Sequence, residues 1–66
     1  MIELIGTNAG LVWTALNEGG KMSVKAVKKA TKIKADKDLY AALGWLAKED
    51  KLSFEEVEGD VLVELV

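Results

Sequence analysis

The side chains in this chain that are best placed to do chemistry are its lysines, because seven of the nine fall between Lys21 and Lys37. Four of the seven recur at the spacing that places side chains on one face of a helix. These four are Lys25, Lys28, Lys29 and Lys32. No Glu or Asp lies among them to neutralise their charge. Such a stripe is typical either of a solvated helix face or of a surface that contacts phosphates.

A second constraint is set by what the chain lacks, since it has neither Cys nor His. Zinc sites of the Cys/His kind, thiol nucleophiles and Ser-His-Asp triads are therefore excluded. The remaining acid and base candidates are carboxylates and lysines, and none of them is paired at a spacing that indicates a pocket. We expect the protein not to be an enzyme and to use no metal, cofactor or small-molecule substrate.

The length of the chain, 66 residues, predicts a single domain spanning residues 1–66. A chain of this size buries only about 60 % of the surface that its unfolded form exposes, so a partner subunit would stabilise it. The amino terminus lacks the basic start and apolar core of a signal peptide. Apolar runs are far shorter than the ~20 residues that span a bilayer. We therefore expect a cytoplasmic protein that does not insert into membranes.

The first element that the spacing predicts is an amphipathic helix. Its apolar face comprises Ala9, Val12, Trp13 and Leu16. Thr7 and Asn8 can cap its start. Gly19-Gly20 ends it, because glycine tolerates the left-handed conformation in which helices commonly terminate. Lys21-Met22 then forms a short extended segment.

The lysine stripe belongs to a second predicted helix, which Ser23 can cap. Its expected core face is Val24, Val27, Ala30 and Thr31. Asp36 can cap a third helix, and Ile33 anchors the turn between the two. The expected buried face of this third helix is Leu39, Ala42, Leu43, Leu46 and Ala47.

The outward face of the third helix contains a glycine, Gly44, between Lys37 and Lys48. Glycine inside a helix costs roughly 1 kcal/mol relative to alanine. We therefore expect DNA, a partner helix or the wing to approach closely at Gly44, unless the glycine only makes room beside Trp45.

The last predicted element is a β-hairpin, formed by two β-prone runs at residues 52–58 and 61–66 that Gly59-Asp60 joins. Trp45 and Phe54 are expected to pack together beneath it. The predicted core is Val12, Trp13, Val27, Leu43, Leu46 and Phe54. These elements predict an α+β fold, a winged helix-turn-helix with a three-helix core and a C-terminal β-hairpin wing.

Two blocks of the sequence resemble the small, stand-alone bacterial winged helix-turn-helix domain family, a family of uncharacterised function. The first block is Asn8-Ala9-Gly10, Val12-Trp13 and Ala15-Leu16-Asn17, and the second runs from Ala42 to Lys51. The resemblance covers nearly the whole chain. It implies a helix-turn-helix core with a wing and, by analogy with larger winged-helix families, DNA binding and transcription regulation.

The charge distribution is strongly polarised along the chain. Residues 1–20 carry a net charge of −2, residues 21–37 carry +6 and residues 38–66 carry −6. A basic middle segment indicates double-stranded DNA as a partner, contacted mainly at its phosphates. The residues that we expect to contact DNA are Lys25, Lys28, Lys29, Lys34, Lys37, Tyr40 and Lys48.

Two features favour the alternative of a protein-interaction or dimerisation module without DNA binding. The chain has no Arg and no Gln, so it lacks most of the side chains that read base edges. The predicted wing is acidic, and phosphates would repel it. Its acids are Glu55, Glu56, Glu58 and Asp60. A solvated turn explains these acids better than a metal site.

Apolar residues left off the predicted core faces also indicate a homodimer. They lie on the first helix and the last strand. They are Leu4, Leu11, Ala15, Leu62 and Val66. A two-fold pair through these two elements would bury both sets, although scattered surface leucines need no partner.

Overall fold

The computed structural model describes residues 2–66, which form three helices and a three-stranded antiparallel sheet. In chain order the elements are α1 (Ile2–Gly19), β1 (Met22–Ser23), α2 (Val24–Thr31), α3 (Asp36–Lys48), β2 (Leu52–Val57) and β3 (Asp60–Leu65). The strand order is β1-β3-β2. The predicted α+β fold with a three-helix core and a C-terminal wing is confirmed. The short extended segment at Met22 becomes β1, which pairs Met22 with Val63.

The core is entirely aliphatic and lies where the three helices meet one face of the sheet. Its members are Ala9, Val12, Leu16, Val27, Ile33, Leu39, Ala42, Leu43, Leu46, Leu52 and Val63. The prediction that Trp13 and Phe54 belong to it is wrong, since they are 42 % and 48 % exposed. Trp13 lies about 100° around the helix from Val12. Phe54 lies on β2, one of the two edge strands of the sheet.

The start of α1 differs from the prediction that Thr7 and Asn8 cap it. The helix is already formed at Ile2, and Asn8 is buried in its interior. Ile5, which is half-buried, precedes Ala9 by four residues, so the buried stripe begins one turn earlier than predicted. The predicted end is confirmed: α1 stops at Gly19, and Gly20 follows at a φ of 71°.

The capping of α2 is confirmed, because the Ser23 hydroxyl accepts a hydrogen bond from the Ala26 N–H at 3.1 Å. Ala30 is exposed instead of buried, and Val27 is the one fully buried residue of this eight-residue helix. The N-cap of α3 is Ala35 and not Asp36, which is the first residue of the helix. The Asp36 side chain instead contacts a lysine of α2.

The hairpin connection is Glu58-Gly59, one residue before the predicted turn, because Asp60 already pairs with Val57. Gly59 takes a φ of 79°, which suits glycine. The register places Phe54 opposite Val63 and Glu55 opposite Leu62. Because side chains alternate between faces, the Phe54 side chain lies on the core-facing side of the sheet and the Glu55 side chain lies on the outer side.

Candidate nucleic-acid interface

The lysine face of α2 is less positive than the sequence pattern implies. Lys25 and Lys29 are exposed, and so is Lys32, which ends the helix at a φ of 62°. Lys28 is half-buried, and its Nζ contacts Oδ1 of Asp36 at the start of α3. The acid that neutralises Lys28 lies on the next helix, eight residues further along the chain, so the sequence of α2 alone does not reveal it. Lys28 is therefore a weaker phosphate contact than the stripe suggests.

The connection between α2 and α3 displays further positive charge. Ile33 is buried in the core and fixes the connection. On either side of it, Lys32 and Lys34 are exposed. The Thr31 hydroxyl donates a hydrogen bond to the Val27 carbonyl at 2.8 Å, which stabilises the last turn of α2. The structure thus presents these two lysines from an anchored turn.

The three expected site residues on α3 do not form one cluster. Tyr40 is 59 % exposed and lies on the side of α3 that faces the wing. Lys37 lines a small depression with Leu4 and Ile5 of α1. Lys48 is exposed in the last turn of α3, about 16 Å along the axis from Lys37. Lys25 and Tyr40 are the two site residues that line a common groove.

That groove lies between α2, α3 and the wing and has a volume of about 620 Å³. Leu43, Phe54 and Val61 make its walls apolar, while Lys25 and Glu56 contribute charge. Gly44 lines it too, and apart from its two chain neighbours and the backbone of α3 nothing lies within 4 Å of the position that a Cβ at Gly44 would take. The wing therefore does not crowd Gly44. The groove was not predicted, because it depends on where the hairpin lies relative to α3.

The outer face of the sheet carries an ion-pair cluster. Lys21 Nζ lies 3.1 Å from Glu55 Oε1 and 3.9 Å from Glu64 Oε1. The hydrogen bond to Glu55, followed by the charges of Glu55 and Glu64, raises the pKa of Lys21 above its ordinary value. Lys21 is therefore engaged in the sheet and adds little to a phosphate-binding surface.

The remaining wing acids have no ion-pair partner within residues 2–66. Glu56 and Asp60 line the groove, and Glu58 is exposed in the turn. The Asp60 carboxylate accepts a hydrogen bond from the Val61 N–H at 2.8 Å. In the same part of the chain, no three acidic side chains converge closely enough to hold a metal ion. The acidic wing predicted from the sequence is thus a solvent-facing negative surface beside the apolar groove.

Comparisons with known proteins agree with the fold. The family profile described as "Winged helix-turn-helix domain (DUF2582)" matches residues 1–65. The chain is similar to protein BT2368 from Bacteroides thetaiotaomicron, which has a solution NMR structure, with 32 % identity and a TM-score of 0.83. The match covers 96 % of this chain and 76 % of the other. A search of curated proteins gave no match. None of the helices in residues 2–66 has the length and apolar character needed to cross a bilayer.

Proposed function

Because the chain belongs to the winged helix-turn-helix domain family DUF2582, we propose that it binds double-stranded DNA as a transcription-regulatory module, mainly through phosphate contacts. The observation that carries the proposal is the exposed positive surface of α2 and the α2–α3 connection. Lys25, Lys29 and Lys34 lie on it without ion-pair partners among residues 2–66. The proposal adds Lys37 and Tyr40 of α3, which line two different depressions.

The chemistry of this surface favours contacts that do not depend on base sequence. Lysine contacts phosphates as a point charge, whereas adenine is read by Asn or Gln. The chain's two Asn residues, Asn8 and Asn17, lie on α1, and Asn8 is buried. On α3, Lys37, Lys48 and the Tyr40 hydroxyl are the polar groups that remain for base contacts. We therefore expect similar affinities for duplexes of different sequence.

Fluorescence anisotropy with a mixed-sequence duplex tests the proposal. Four lysine–phosphate contacts should lower the affinity roughly 150-fold between about 50 mM and about 200 mM salt. Replacing Lys25, Lys29 and Lys34 with Ala together should reduce the slope of log affinity against log salt by about 2.7. Lys51→Ala is the control, since Lys51 is exposed in the connection between α3 and β2. Absence of binding at low salt, or a slope that the triple variant leaves unchanged, would exclude this mode of DNA binding.

A second candidate function is a protein-interaction module that keeps the winged-helix fold. The acidic wing favours it, because Glu56, Glu58 and Asp60 lack ion-pair partners within residues 2–66. These acids would repel DNA phosphates. They would attract a basic partner.

A further inference from the structure

The strand β2 lies at an edge of the sheet and also forms part of the wall of the groove. β2 pairs only with β3, so its other edge carries unpaired backbone N–H and C=O groups. All residues of β2 after Leu52 are exposed. Phe54 and Glu56 project from this edge strand into the groove, where Tyr40 and Gly44 lie on the opposite side. An added strand would therefore pair with the backbone groups at the edge, and every second side chain of it would lie on the sheet face that Phe54 and Glu56 share.

We propose that β2 and this groove bind an extended segment of a partner protein by strand addition. In this mode, backbone hydrogen bonds to a sheet edge provide affinity, and pockets for alternate side chains provide specificity. The inference gives a specific form to the interaction-module candidate above and does not depend on DNA binding. The ligand proposed for the groove is therefore a peptide segment with a defined pattern of side chains.

The side chains on β2 specify that pattern. Phe54 and Glu56 are two residues apart and share the groove face. A strand paired with β2 places an apolar residue opposite Phe54 and a Lys or Arg opposite Glu56. Glu58 and Asp60 add negative charge near the basic residue, while Lys25 is the one positive group that lines the groove. The partner segment therefore carries a basic and an apolar residue two positions apart.

The charges of β2 disfavour two of the registers in which a second copy of this chain could add its own β2. An antiparallel pair of two β2 strands centred on Glu55 would place Glu55 opposite its own copy. A pair centred between Glu55 and Glu56 would place these two acids opposite each other. Like charges directly opposite destabilise a strand pair. A basic segment from another protein avoids this repulsion.

Gly44 provides the second line of support. In a helix interior glycine is destabilising relative to alanine, and no atom of the wing or of α2 lies within 4 Å of the position that a Cβ at Gly44 would take. The open space lies beside Tyr40 on the side of α3 that faces Phe54 and the wing. A side chain of the bound segment opposite Phe54 would occupy that space.

The direct test is an NMR titration with the blocked peptide Thr-Lys-Thr-Val-Thr, which can place Lys opposite Glu56 and Val opposite Phe54 in an antiparallel pair. We expect amide shifts confined to residues 53–57 and to the groove-lining residues Val24, Lys25, Tyr40 and Gly44. Two further peptides carry N-methyl groups on either the odd-numbered or the even-numbered amides. Their affinities should differ, because alternate amides of a paired strand face its partner. Equal binding of both N-methylated peptides, shifts spread over the rest of α2, or no shift at millimolar peptide would overturn the proposal.

Variants separate this inference from DNA binding. Glu56→Lys should weaken the peptide by at least about fivefold, because it removes one cross-strand ion pair and places two like charges opposite each other. Glu18→Lys on α1 is the charge-matched control. Gly44→Leu should abolish peptide binding without lowering the Tm, whereas Gly10→Leu, on an open position of α1, should leave binding intact. Retained binding in Gly44→Leu would refute the role of the groove. A failed DNA titration leaves each of these expectations unchanged.

Discussion

Lys28 on α2 and Asp36 at the start of α3 form an ion pair across the helix-turn-helix, and this pair neutralises one of the four lysines of the stripe. The contact joins residues eight positions apart. Its two side chains differ in exposure, with Lys28 half-buried and Asp36 open to solvent. The positive charge of the proposed DNA-binding face therefore depends on how α2 and α3 are positioned relative to each other.

Asp36→Asn tests the electrostatic side of this pair. It frees the Lys28 ammonium and removes a negative charge from the proposed interface. We expect tighter binding to mixed-sequence duplex and a salt slope steeper by about 0.9, corresponding to one additional phosphate contact. The cost in stability should be below about 1 kcal/mol, since exposed ion pairs and first-turn acids contribute that little. Anisotropy titrations at several salt concentrations measure the slope, with Glu18→Gln as the control. An unchanged slope would show that Lys28 does not reach DNA.

Ser23→Ala should destabilise the domain by about 1 kcal/mol, because it removes the side-chain acceptor for the Ala26 N–H at the start of α2. For a domain of this size the Tm should fall by roughly 4 to 8 °C. Thermal unfolding followed by circular dichroism gives the value. Ser53→Ala, at an exposed position on β2, is the matched control. A loss as large in the control would argue against the capping role.

Leu39→Ala and Trp13→Ala separate the aliphatic core from the exposed aromatic side chains. Leu39 is 1 % exposed, so its truncation should cost about 2 to 5 kcal/mol. That is a large fraction of the stability of a small domain. Trp13→Ala should cost less than half as much, because Trp13 lies outside the core cluster. Urea denaturation measures the free energy of unfolding of both variants. Equal losses would show that Trp13 contributes to stability as a core residue does.

The stability contribution of Lys21 should depend on alkaline pH. Its pKa in the folded state is raised above 10.5, so folding favours the protonated form. The contribution is therefore complete below pH 10.5 and is lost as the pH rises through the raised value. The difference in Tm between the wild type and Lys21→Met should shrink above pH 10.5 and stay constant between pH 7 and pH 9. Lys51→Met controls for the titration of other lysines. A difference that persists at high pH would assign the effect to packing.

A homodimer remains a prediction. The exposure of the residues expected to form its interface indicates which of them are accessible to a second copy. Leu4 and Leu11 on α1 are exposed. Of the two strand residues expected to join them, Leu62 is half-buried on the outer face that also carries Glu55 and Glu64, and Val66 is exposed just after the end of β3. We therefore expect α1 to supply most of the contact. Light scattering at tens of micromolar should give a dimer mass that Leu11→Glu reduces to a monomer. A monomer mass for the wild type would contradict the prediction.

The sequence by itself determined the elements and their order, because these depend on local patterns. Helical spacing marked Val12, Leu16 and Leu43 as core residues, and all three are buried. The hydroxyl of Ser23 marked the start of α2 through a contact within one turn. Gly19-Gly20 ended α1, and the two β-prone runs formed the wing. Each of these signals acts between residues a few positions apart.

Tertiary packing decided the surface on which function depends. The contact between Lys28 and Asp36 depends on the angle at which α2 and α3 pack. The contact between Lys21 and Glu55 joins residues 34 positions apart and depends on the register of the sheet. The exposure of Phe54 and Tyr40 and the open space at Gly44 depend on how the hairpin is placed against α3. Periodicity shows that a residue belongs to a face, but contacts distant in sequence determine what covers that face.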